Sequence, residues 1–416
     1  MKTEKPDMKK YLNYLITILS AVLCLFHLYA VYRGTLSIMR QKVVHIGLIL
    51  LLAVLVYFVK KLEKGERIHP IDVAVNALLF GGVIYAASYI FIMDKQLVFF
   101  QGAPNKEIIL AGLILTAALF FITQRTLGWV MPLIAVTALA YGVFGDRIPG
   151  ALGHRTYSIA RISSSLILGE DGIMGTPLGV SAGTVAMFVI FGSVLQYTGA
   201  GQAFIDLAFA AFGTIRGGPA KVAVVSSALF GSISGSPIAN VVSTGTFTIP
   251  LMKKVGYEPE YAGAVEAVAS TGGQIMPPIM GAAAFIMAQS MGVPYMTIVR
   301  AAILPAFLYY FMVLISIHLV AVKGGMKGLP ASQLPDFKET LKKSWFLILP
   351  IGVLVYMLVV LRLSTNKAAL YCCGLSLVAS WFSRENRVTP KATIGIFLDA
   401  AKNMISVALA CAIAGV

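Results

Sequence analysis

Long apolar runs separated by short polar segments dominate this chain. Most runs are 16 to 25 residues long, close to the ~20 residues that a helix needs to cross the hydrocarbon core of a membrane. The pattern predicts an all-α polytopic membrane protein. The apolar runs cover residues 12–32, 44–59, 73–93, 108–123, 129–144, 177–197, 261–290 (interrupted), 296–320, 345–361, 368–382 and a last run from 392.

One segment, residues 222–252, departs from this pattern. It carries no charge, yet it is rich in glycine, serine and threonine. Basic residues flank it on both sides, with Arg216 and Lys221 before it and Lys253 and Lys254 after it. Because cytoplasmic loops collect positive charge, both ends are predicted to lie on the same side of the membrane. The segment is therefore interpreted as a re-entrant helical hairpin.

The predicted hairpin has a short first arm. Residues 221–230 would rise only about 15 Å as a helix, half of a ~30 Å hydrocarbon core. This length places the tip, residues 231–237, near the middle of the membrane. Non-helical backbone is tolerated there only where protein or water satisfies it, as in the binding sites of secondary transporters.

The tip reads GSISGSP and offers small, hydroxyl-bearing residues for close approach to a ligand. Pro237 breaks the helical ladder and would free the Ile233 carbonyl if the chain is helical there. A helix that starts near Pro237 aims its positive end at the tip, which suits an anionic group. Packing of small residues is the alternative interpretation. The candidate substrate-binding residues are Ser234, Gly235, Ser236, Asn240, Ser243 and Thr244.

A second unusual element, residues 270–278, interrupts the run 261–290 with the sequence STGGQIMPP. Pro277 and Pro278 are predicted to break the helix and to leave the carbonyls of Gly273 and Gln274 free. Neutral oxygens at a broken helix suit a small cation such as Na⁺. A proline kink that serves packing alone is the alternative. The candidate cation-binding residues are Ser234, Asn240, Ser270, Thr271, Gly272, Gly273 and Gln274.

Glu266 is the only charged residue between Tyr261 and Val299. A carboxylate within the membrane is costly and is therefore a candidate for proton or ion coupling. Its position, about a turn and a half into the span, leaves two alternatives open: contact with cytoplasmic water, or a role in packing the hairpin. The histidines in or beside spans, His27, His45 and His318, lack a carboxylate at ligand spacing and are interpreted as structural.

Composition agrees with a membrane protein, since 58% of the 416 residues are hydrophobic and only 12% are charged. With the N-terminus in the cytoplasm, about two-thirds of the 33 lysines and arginines fall on the cytoplasmic side. The net charge of +15 therefore reflects topology and a lipid partner, and nucleic acid is not expected. The four cysteines have neither metal nor disulfide spacing, and no cofactor is predicted.

Glycine and serine become more frequent after about residue 125, which predicts a division into parts. Residues 1–125 form a predicted four-helix scaffold, residues 126–176 a connecting helix and an extracytoplasmic loop, and residues 177–416 a transport domain. The apolar run 403–416 ends without a charged flank. We therefore expect the protein to continue beyond Val416.

The runs GSISGSPIANVVSTGTFTIP and YAGAVEAVASTGGQIMPPIMGAAA closely resemble the large membrane subunit of tripartite ATP-independent periplasmic (TRAP) transporters. These motifs are most similar in sequence to the TAXI type, in which a four-helix small subunit is fused ahead of the large one. The likeness is strong over residues 170–330, and the four spans before residue 125 fit the small subunit's place.

The resemblance implies an elevator-type, ion-driven permease in the bacterial or archaeal cytoplasmic membrane, served by an extracytoplasmic TAXI-type solute-binding protein. It implies organic acids such as dicarboxylates or 2-oxo acids as substrates, and Na⁺ or H⁺ as the coupling ion. By motif, Ser234, Gly235, Ser236 and Asn240 would belong to the first hairpin's site, and 270–274 would complete its cation site. A second hairpin would lie beyond Val416, so the transporter domain in this chain would be incomplete.

Other functional classes fit less well. The chain has no G-x-x-x-x-G-K-[ST] motif for an ATP-driven pump and no H-E-x-x-H motif for a metalloprotease, and an enzyme is not expected. A channel would also use re-entrant loops, but it has no need of four leading scaffold spans. The nearest functional alternative is an ion-coupled dicarboxylate carrier that works without a binding protein.

Overall fold

The computed structural model describes residues 5–34, 36–66, 69–100, 104–330, 332, 334–383 and 386–416. All regular structure within these ranges is helical, and nine of the described helices are long and apolar enough to cross a membrane. The predicted all-α polytopic class is confirmed. Helices cover every apolar run that the sequence indicated, and the run 261–290 is divided in two, as expected.

The first eight helices have the following bounds: α1 Lys5–Arg33, α2 Ile38–Glu63, α3 Pro70–Met93, α4 Lys106–Leu127, α5 Val130–Phe144, α6 Ile159–Leu168, α7 Thr176–Val180 and α8 Ala186–Tyr197. A π-helical turn, Ser181–Val185, joins α7 to α8. Short 3₁₀ turns lie at Leu97–Phe100, Gly145–Arg147 and Gly150–Leu152. The predicted extracytoplasmic part of residues 126–176 thus contains one short α-helix, α6.

The remaining helices are α9 Ala200–Phe212, α10 Gly218–Ser234, α11 Pro237–Lys254, α12 Pro259–Gly272, α13 Ala282–Ser290, α14 Tyr295–Lys323, α15 Phe337–Val359, α16 Thr365–Ser380 and α17 Pro390–Ala414. The chain divides into two compact units, one of residues 1–186 with 397–416 and one of residues 187–396. Both divisions fall inside helices. The domain boundaries predicted near residues 125 and 176 stay a prediction.

In the first unit, α1 to α4 pack in sequence around large aliphatic side chains that are almost fully buried, among them Leu23, Ile46, Ile90 and Leu119. Charges lie at the helix ends. Lys61 at the end of α2 pairs with Asp72 at the start of α3 (2.6 Å), and Arg125 at the end of α4 lies 3.5 Å from the same carboxylate. These contacts join three helices outside the apolar part of the bundle.

One polar chain runs through the interior of this unit. The His27 and His45 rings, both fully buried, are hydrogen-bonded to each other (2.9 Å), and His45 also bonds the Ser181 hydroxyl (3.1 Å). Gln41 donates to the Ala182 carbonyl (2.9 Å). The two histidines therefore join α1 and α2 to the π-helical turn, which agrees with the structural role that was predicted for them.

In the second unit, α10, α11 and α12 pack against one another, and α14 covers α10 and α12. Their shared core is rich in alanine and includes Ala220, Ala223, Ala262 and Ala269. Tyr310 of α14 donates to the Ala269 carbonyl (3.0 Å). Small side chains let these helices approach closely, and this close approach is what positions the candidate site.

Candidate functional site at a helical hairpin and a broken helix

A two-residue turn, Gly235 and Ser236, connects α10 to α11 and makes the pair a helical hairpin. Gly235 has φ +60°, a left-handed conformation that glycine adopts without strain. The Ser236 hydroxyl caps α11 by accepting a hydrogen bond from the Ala239 amide (3.3 Å), and Pro237 occupies the first helical position. The positive end of α11 therefore faces the turn, as the sequence predicted.

The first arm is longer than predicted. Helix α10 has 17 residues and runs to Ser234, so it rises about 25 Å rather than about 15 Å. The predicted non-helical tip 231–237 was wrong in extent, because Gly231 to Ser234 stay helical and the turn needs only Gly235 to reverse direction. The Ile233 carbonyl was expected to be free only if the helix continued to Pro237, and the helix ends before it.

The hairpin crosses the broken helix with backbone in contact with backbone. A Cβ atom on Gly231 would lie 2.6 Å from the Gly273 Cα, and a Cβ on Gly273 would lie 2.6 Å from the Gly231 Cα. At the turn, a Cβ on Gly235 would meet the Met280 carbonyl oxygen at 2.3 Å. The Ile279 amide also donates to the Ser232 carbonyl (3.2 Å). Glycine at these positions is therefore a requirement of the fold.

The break between α12 and α13 occupies residues 273–281 and contains a cis Pro277–Pro278 peptide bond. Contrary to prediction, the carbonyls of Gly273 and Gln274 are not free. The Gly273 carbonyl accepts from the Met276 amide (3.3 Å) and the Gln274 carbonyl accepts from the Gly281 amide (2.7 Å). Helix α12 ends at Gly272, so Pro277 and Pro278 lie outside it and interrupt none of its hydrogen bonds. The two carbonyls are satisfied by amides of the following turns.

The chain after the prolines is held by a residue that the sequence reading missed. The hydroxyl of Tyr295 donates to the carbonyls of Pro278 (3.0 Å) and Ile279. Met280 follows with φ +62°, a strained conformation for a side chain of this size. Strain of this kind persists only where the surroundings fix the backbone, and here both Tyr295 and the hairpin turn do so.

Glu266 lies in α12, fully buried, with its carboxylate surrounded by hydroxyl groups of three helices. Oε1 accepts from Ser227 (2.9 Å), from Ser270 (3.3 Å) and from Thr244, and Oε2 accepts from Thr248 (2.5 Å). No lysine, arginine or histidine of the described chain pairs with it. Of the two alternatives left open by the sequence, contact of Glu266 with cytoplasmic water does not hold, because the side chain is fully buried.

Asn240 lies beside this cluster and is also fully buried. Its side-chain amide donates to the Ser227 carbonyl (2.8 Å), and its Oδ1 lies 3.2 Å from the Thr244 hydroxyl. Both polar ends of the side chain thus have partners inside the hairpin. The arrangement fixes α10 to α11 directly below the turn.

The candidate substrate-binding residues of α11 divide between two environments. Asn240 and Thr244 face α10 and α12, whereas Ser243 is half-buried and lies 3.5 Å from Gln196 of α8. The inner stripe continues to Thr248, so its spacing is i, i+4, i+8. Sequence reasoning missed Thr248 and Ser227, although this spacing, read together with Glu266, is a signal that would have found Thr248.

The predicted cation-binding residues also divide. The Ser234 hydroxyl is buried and has no hydrogen-bond partner in the part of the chain that the structure describes. Ser270 bonds Glu266, Gly273 is buried at the crossing, and Gly272 is buried against Tyr309 and Tyr310 of α14. Thr271 is exposed and donates to the Ala267 carbonyl of its own helix (2.7 Å), and Gln274 is exposed as well. The structure thus brings Ser234, Asn240, Ser270 and the two glycines into one region of the hairpin and the break.

Two tyrosines lie at the base of the hairpin, where α11 turns into α12. Tyr257 is buried there, and its ring stacks on Tyr261. Burial, with a smaller contribution from Tyr261, raises the pKa of Tyr257 to about 12. The phenol therefore stays protonated at physiological pH, and Glu258 is the nearest charged residue to it along the chain, with Lys254 the nearest basic one.

The sequence profile described as "Tripartite ATP-independent periplasmic transporter, DctM component" matches residues 114–416, the larger part of the chain. The chain belongs to this family. The match contains the hairpin, the crossing and the broken helix, and it identifies the chain as a membrane component of the TRAP transporter family. Residues 1–113 lie outside the match.

Individual relatives agree with the family. The DctM large permease protein of the C4-dicarboxylate TRAP transporter of Vibrio cholerae is 31% identical over 174 residues, which are 41% of this chain and 37% of the relative. The protein of the same name from Pseudomonas aeruginosa is 27% identical over 206 residues, 49% of this chain and 48% of the relative. The sialic acid TRAP permease SiaM of Vibrio cholerae is 24% identical over 171 residues, covering 41% and 40%. The matches span less than half the length of each relative.

Proposed function

We propose that this chain is the permease part of an ion-driven uptake system for small organic acids in a bacterial or archaeal cytoplasmic membrane, with no catalytic activity of its own. The observation that carries the proposal is the crossing of the hairpin and the broken helix at Gly231 and Gly273. Such a crossing brings backbone polar groups of two interrupted elements together inside a membrane protein, which is how secondary transporters build binding sites.

The proposed substrate group is a carboxylate. Helix α11 begins at the hairpin turn, and its positive end attracts anions. The turn residues Ser234, Gly235 and Ser236 are small and polar, and Ser243 adds a half-buried hydroxyl. Two of these relatives are named as proteins of C4-dicarboxylate transporters. Their names support dicarboxylates or 2-oxo acids as the substrate class. Asn240 and Thr244 would support this site from below.

Na⁺ is the proposed coupling ion. The unpartnered Ser234 hydroxyl, the Asn240 side-chain oxygen and the carbonyls of Gly273 and Gln274 are neutral oxygens of the kind that a small cation prefers. Each carbonyl already accepts one hydrogen bond and keeps a second lone pair. A proton is the alternative driver, and the same transport assay separates the two.

The proposed partner is an extracytoplasmic solute-binding protein of the TAXI type, with residues 1–125 acting as a fused small-subunit-like scaffold. The family description supports a periplasmic partner in general terms. We further propose that α10 and α11 form a re-entrant hairpin entered from the cytoplasm, that the N-terminus is cytoplasmic, and that the transport domain moves as an elevator. The alternative is a carrier that takes the dicarboxylate directly.

Uptake of labelled dicarboxylates and 2-oxo acids into proteoliposomes tests this function. The full gene product is reconstituted, and a Na⁺ gradient or a pH gradient is imposed, each with and without the binding protein. We expect uptake only with the binding protein and a Na⁺ gradient. Uptake driven by the pH gradient alone would replace Na⁺ with H⁺. Uptake without the binding protein would establish the stand-alone carrier instead.

A further inference from the structure

The Glu266 carboxylate is the only acidic group that the structure buries completely within the described chain. Its partners come from all three helices of the hairpin assembly, which we define as α10, α11 and α12. Ser227 belongs to α10, Thr244 and Thr248 to α11, and Ser270 to α12. All four partners are hydroxyls. We define the Glu266 anchor as this carboxylate with its four hydroxyl partners.

We propose that Glu266 is a positioning residue that locks both arms of the hairpin to α12, so that the hairpin and the broken helix move as one body during transport. The proposal goes beyond the proposed function and needs it only for the transport readout. It assigns to the carboxylate a geometric task, the fixing of α10 and α11 on α12.

The anchor reaches the candidate site through two hydrogen-bonded routes. The first passes from Glu266 to Ser227, whose hydroxyl donates to the carboxylate and whose backbone carbonyl accepts from the Asn240 side-chain amide. The second passes to Ser270, three residues before Gly273 at the crossing. Loss of the anchor would therefore release the supports of both halves of the site at once.

Burial makes the anchor an all-or-none arrangement. A buried carboxylate is tolerated only while enough hydrogen bonds replace the water it has lost, and bonds to a charged acceptor are stronger than bonds between neutral groups. The four hydroxyls in turn have the carboxylate as their hydrogen-bond acceptor. Separation of either arm from α12 would leave Glu266 without its replacement for water, so the assembly resists opening between the arms.

The acceptor pattern predicts that glutamine can replace Glu266. A glutamine oxygen would accept from the three partners of Oε1. Its amide group would face Thr248, whose hydroxyl lies 3.1 Å from the Thr244 carbonyl and can donate there while it accepts from the amide. Glutamine thus keeps the shape of the anchor and removes only the charge. This separates a positioning role from a role that requires a charge or a carried proton.

The test uses five single variants of the full transporter. Glu266→Leu removes the anchor and Glu266→Gln retains its shape. Thr248→Val removes one hydroxyl at nearly constant volume, whereas Thr248→Ser retains it. Glu260→Leu is the matched control, since Glu260 is an exposed carboxylate in the first turn of the same helix. Hydrogen exchange of peptides from 218–272 is measured on purified protein, and the half-saturating Na⁺ concentration and maximal rate are measured for uptake.

For Glu266→Leu, we expect exchange in the hairpin to accelerate by at least about tenfold, because local opening no longer breaks the anchor. The half-saturating Na⁺ concentration should rise by about tenfold or more, which corresponds to a loss of about 1.4 kcal/mol of binding free energy. The maximal rate should fall by a smaller factor. Thr248→Val should show smaller changes in the same direction. Glu266→Gln, Thr248→Ser and Glu260→Leu should stay within about threefold of wild type.

Two results would overturn the proposal. One is wild-type exchange in Glu266→Leu and Thr248→Val, which would show that the arms do not depend on the anchor. The other is loss of uptake in Glu266→Gln with exchange unchanged, which would show that the charge itself matters. If Glu266→Leu fails to fold, the Thr248 pair still decides. Because exchange needs no transport, absence of uptake in the wild type would refute the proposed function while the exchange data still judge the anchor.

Discussion

Helices α1 to α4, the predicted scaffold, and helices α10 to α12, the hairpin assembly, differ in the side chains that fill their interiors. The scaffold fills its interior with large aliphatic side chains and keeps its ion pairs at the helix ends, as with Lys61 and Asp72. The hairpin assembly packs alanine and glycine, and it places a carboxylate in its middle. Apart from the His27–His45 pair, the interior of the first region is large and aliphatic, whereas that of the second is small and polar.

The difference follows from what each region must expose. Large side chains hold helix axes apart and leave the backbone inaccessible, which suits a scaffold. Within a membrane, small residues and buried hydrogen bonds allow helices to approach until backbone meets backbone, as at Gly231 and Gly273. Only the second arrangement leaves backbone groups of interrupted helices close enough to share a ligand.

The largest effect is expected from Gly273→Leu. A side chain here would overlap the backbone of Gly231 and push the hairpin from the broken helix. Because displacement of a site by about 1 Å can cost about a hundredfold, uptake should fall by at least that factor. Uptake at normal expression level is the measurement. Gly263→Leu in the preceding helix, α12, is the matched control, since a Cβ there meets nothing within 4 Å; equal losses in both variants would contradict the crossing.

Asn240→Ala tests the buried amide under the turn. The change removes the hydrogen bond from the Asn240 amide to the Ser227 carbonyl, which keeps its helical partner, at a cost of about 1 kcal/mol. We expect uptake to fall by at least about tenfold without loss of expression. Thr246→Ala, an exposed hydroxyl of the same helix, should behave like the wild type. Unchanged uptake in Asn240→Ala would remove Asn240 from the site.

His45→Leu asks whether buried polarity in the scaffold serves transport directly. The variant leaves His27 without its partner and removes the bond to Ser181, so stability should fall by about 1–3 kcal/mol. The melting temperature should drop, whereas the half-saturating Na⁺ concentration should stay at the wild-type value. A rise in that concentration by about tenfold would contradict the contrast between the two regions.

The smallest effect is expected from Asp72→Asn at the helix ends of the scaffold. The ion pairs of Asp72 with Lys61 and Arg125 are partly exposed, and such pairs are screened by water and salt. The melting temperature should fall less than in His45→Leu, and high salt should reduce the difference further. A loss greater than that of His45→Leu would show that the scaffold depends on its rim charges.

Much of this contrast was already predictable from the sequence. Apolar runs predicted every spanning helix, and the uncharged, glycine-rich segment predicted the hairpin, because hydropathy and turn residues act locally. The break at Pro277 and Pro278 was predicted for the same reason. The length of the first arm was underestimated, since Gly231 and Ser232 suggest a loop when they are read without the helices that pack on them.

Contacts between distant residues were harder to predict. The surroundings of Glu266 depend on Ser227, 39 residues away, and on the register between three helices. The carbonyls of Gly273 and Gln274 were expected to be free because the turn that satisfies them forms only when the chain reaches Gly281. Tyr295 was missed because nothing local connects it to the residues after the prolines. Local patterns thus predict elements, whereas partners depend on the packed fold.

The central claim, that the hairpin crossing forms an ion site, is tested most directly by ion-dependent thermal stability of the purified transporter. Na⁺ and K⁺ are compared at equal concentration for the wild type, Ser234→Ala and Gly273→Leu. Because a ligand that binds only the folded state stabilises it, by about 2.7 kcal/mol at a hundred times its Kd, the wild type should melt at higher temperature in Na⁺. Neither variant should show that difference. Equal melting temperatures of the wild type in both ions, or the full Na⁺ effect in both variants, would contradict the claim.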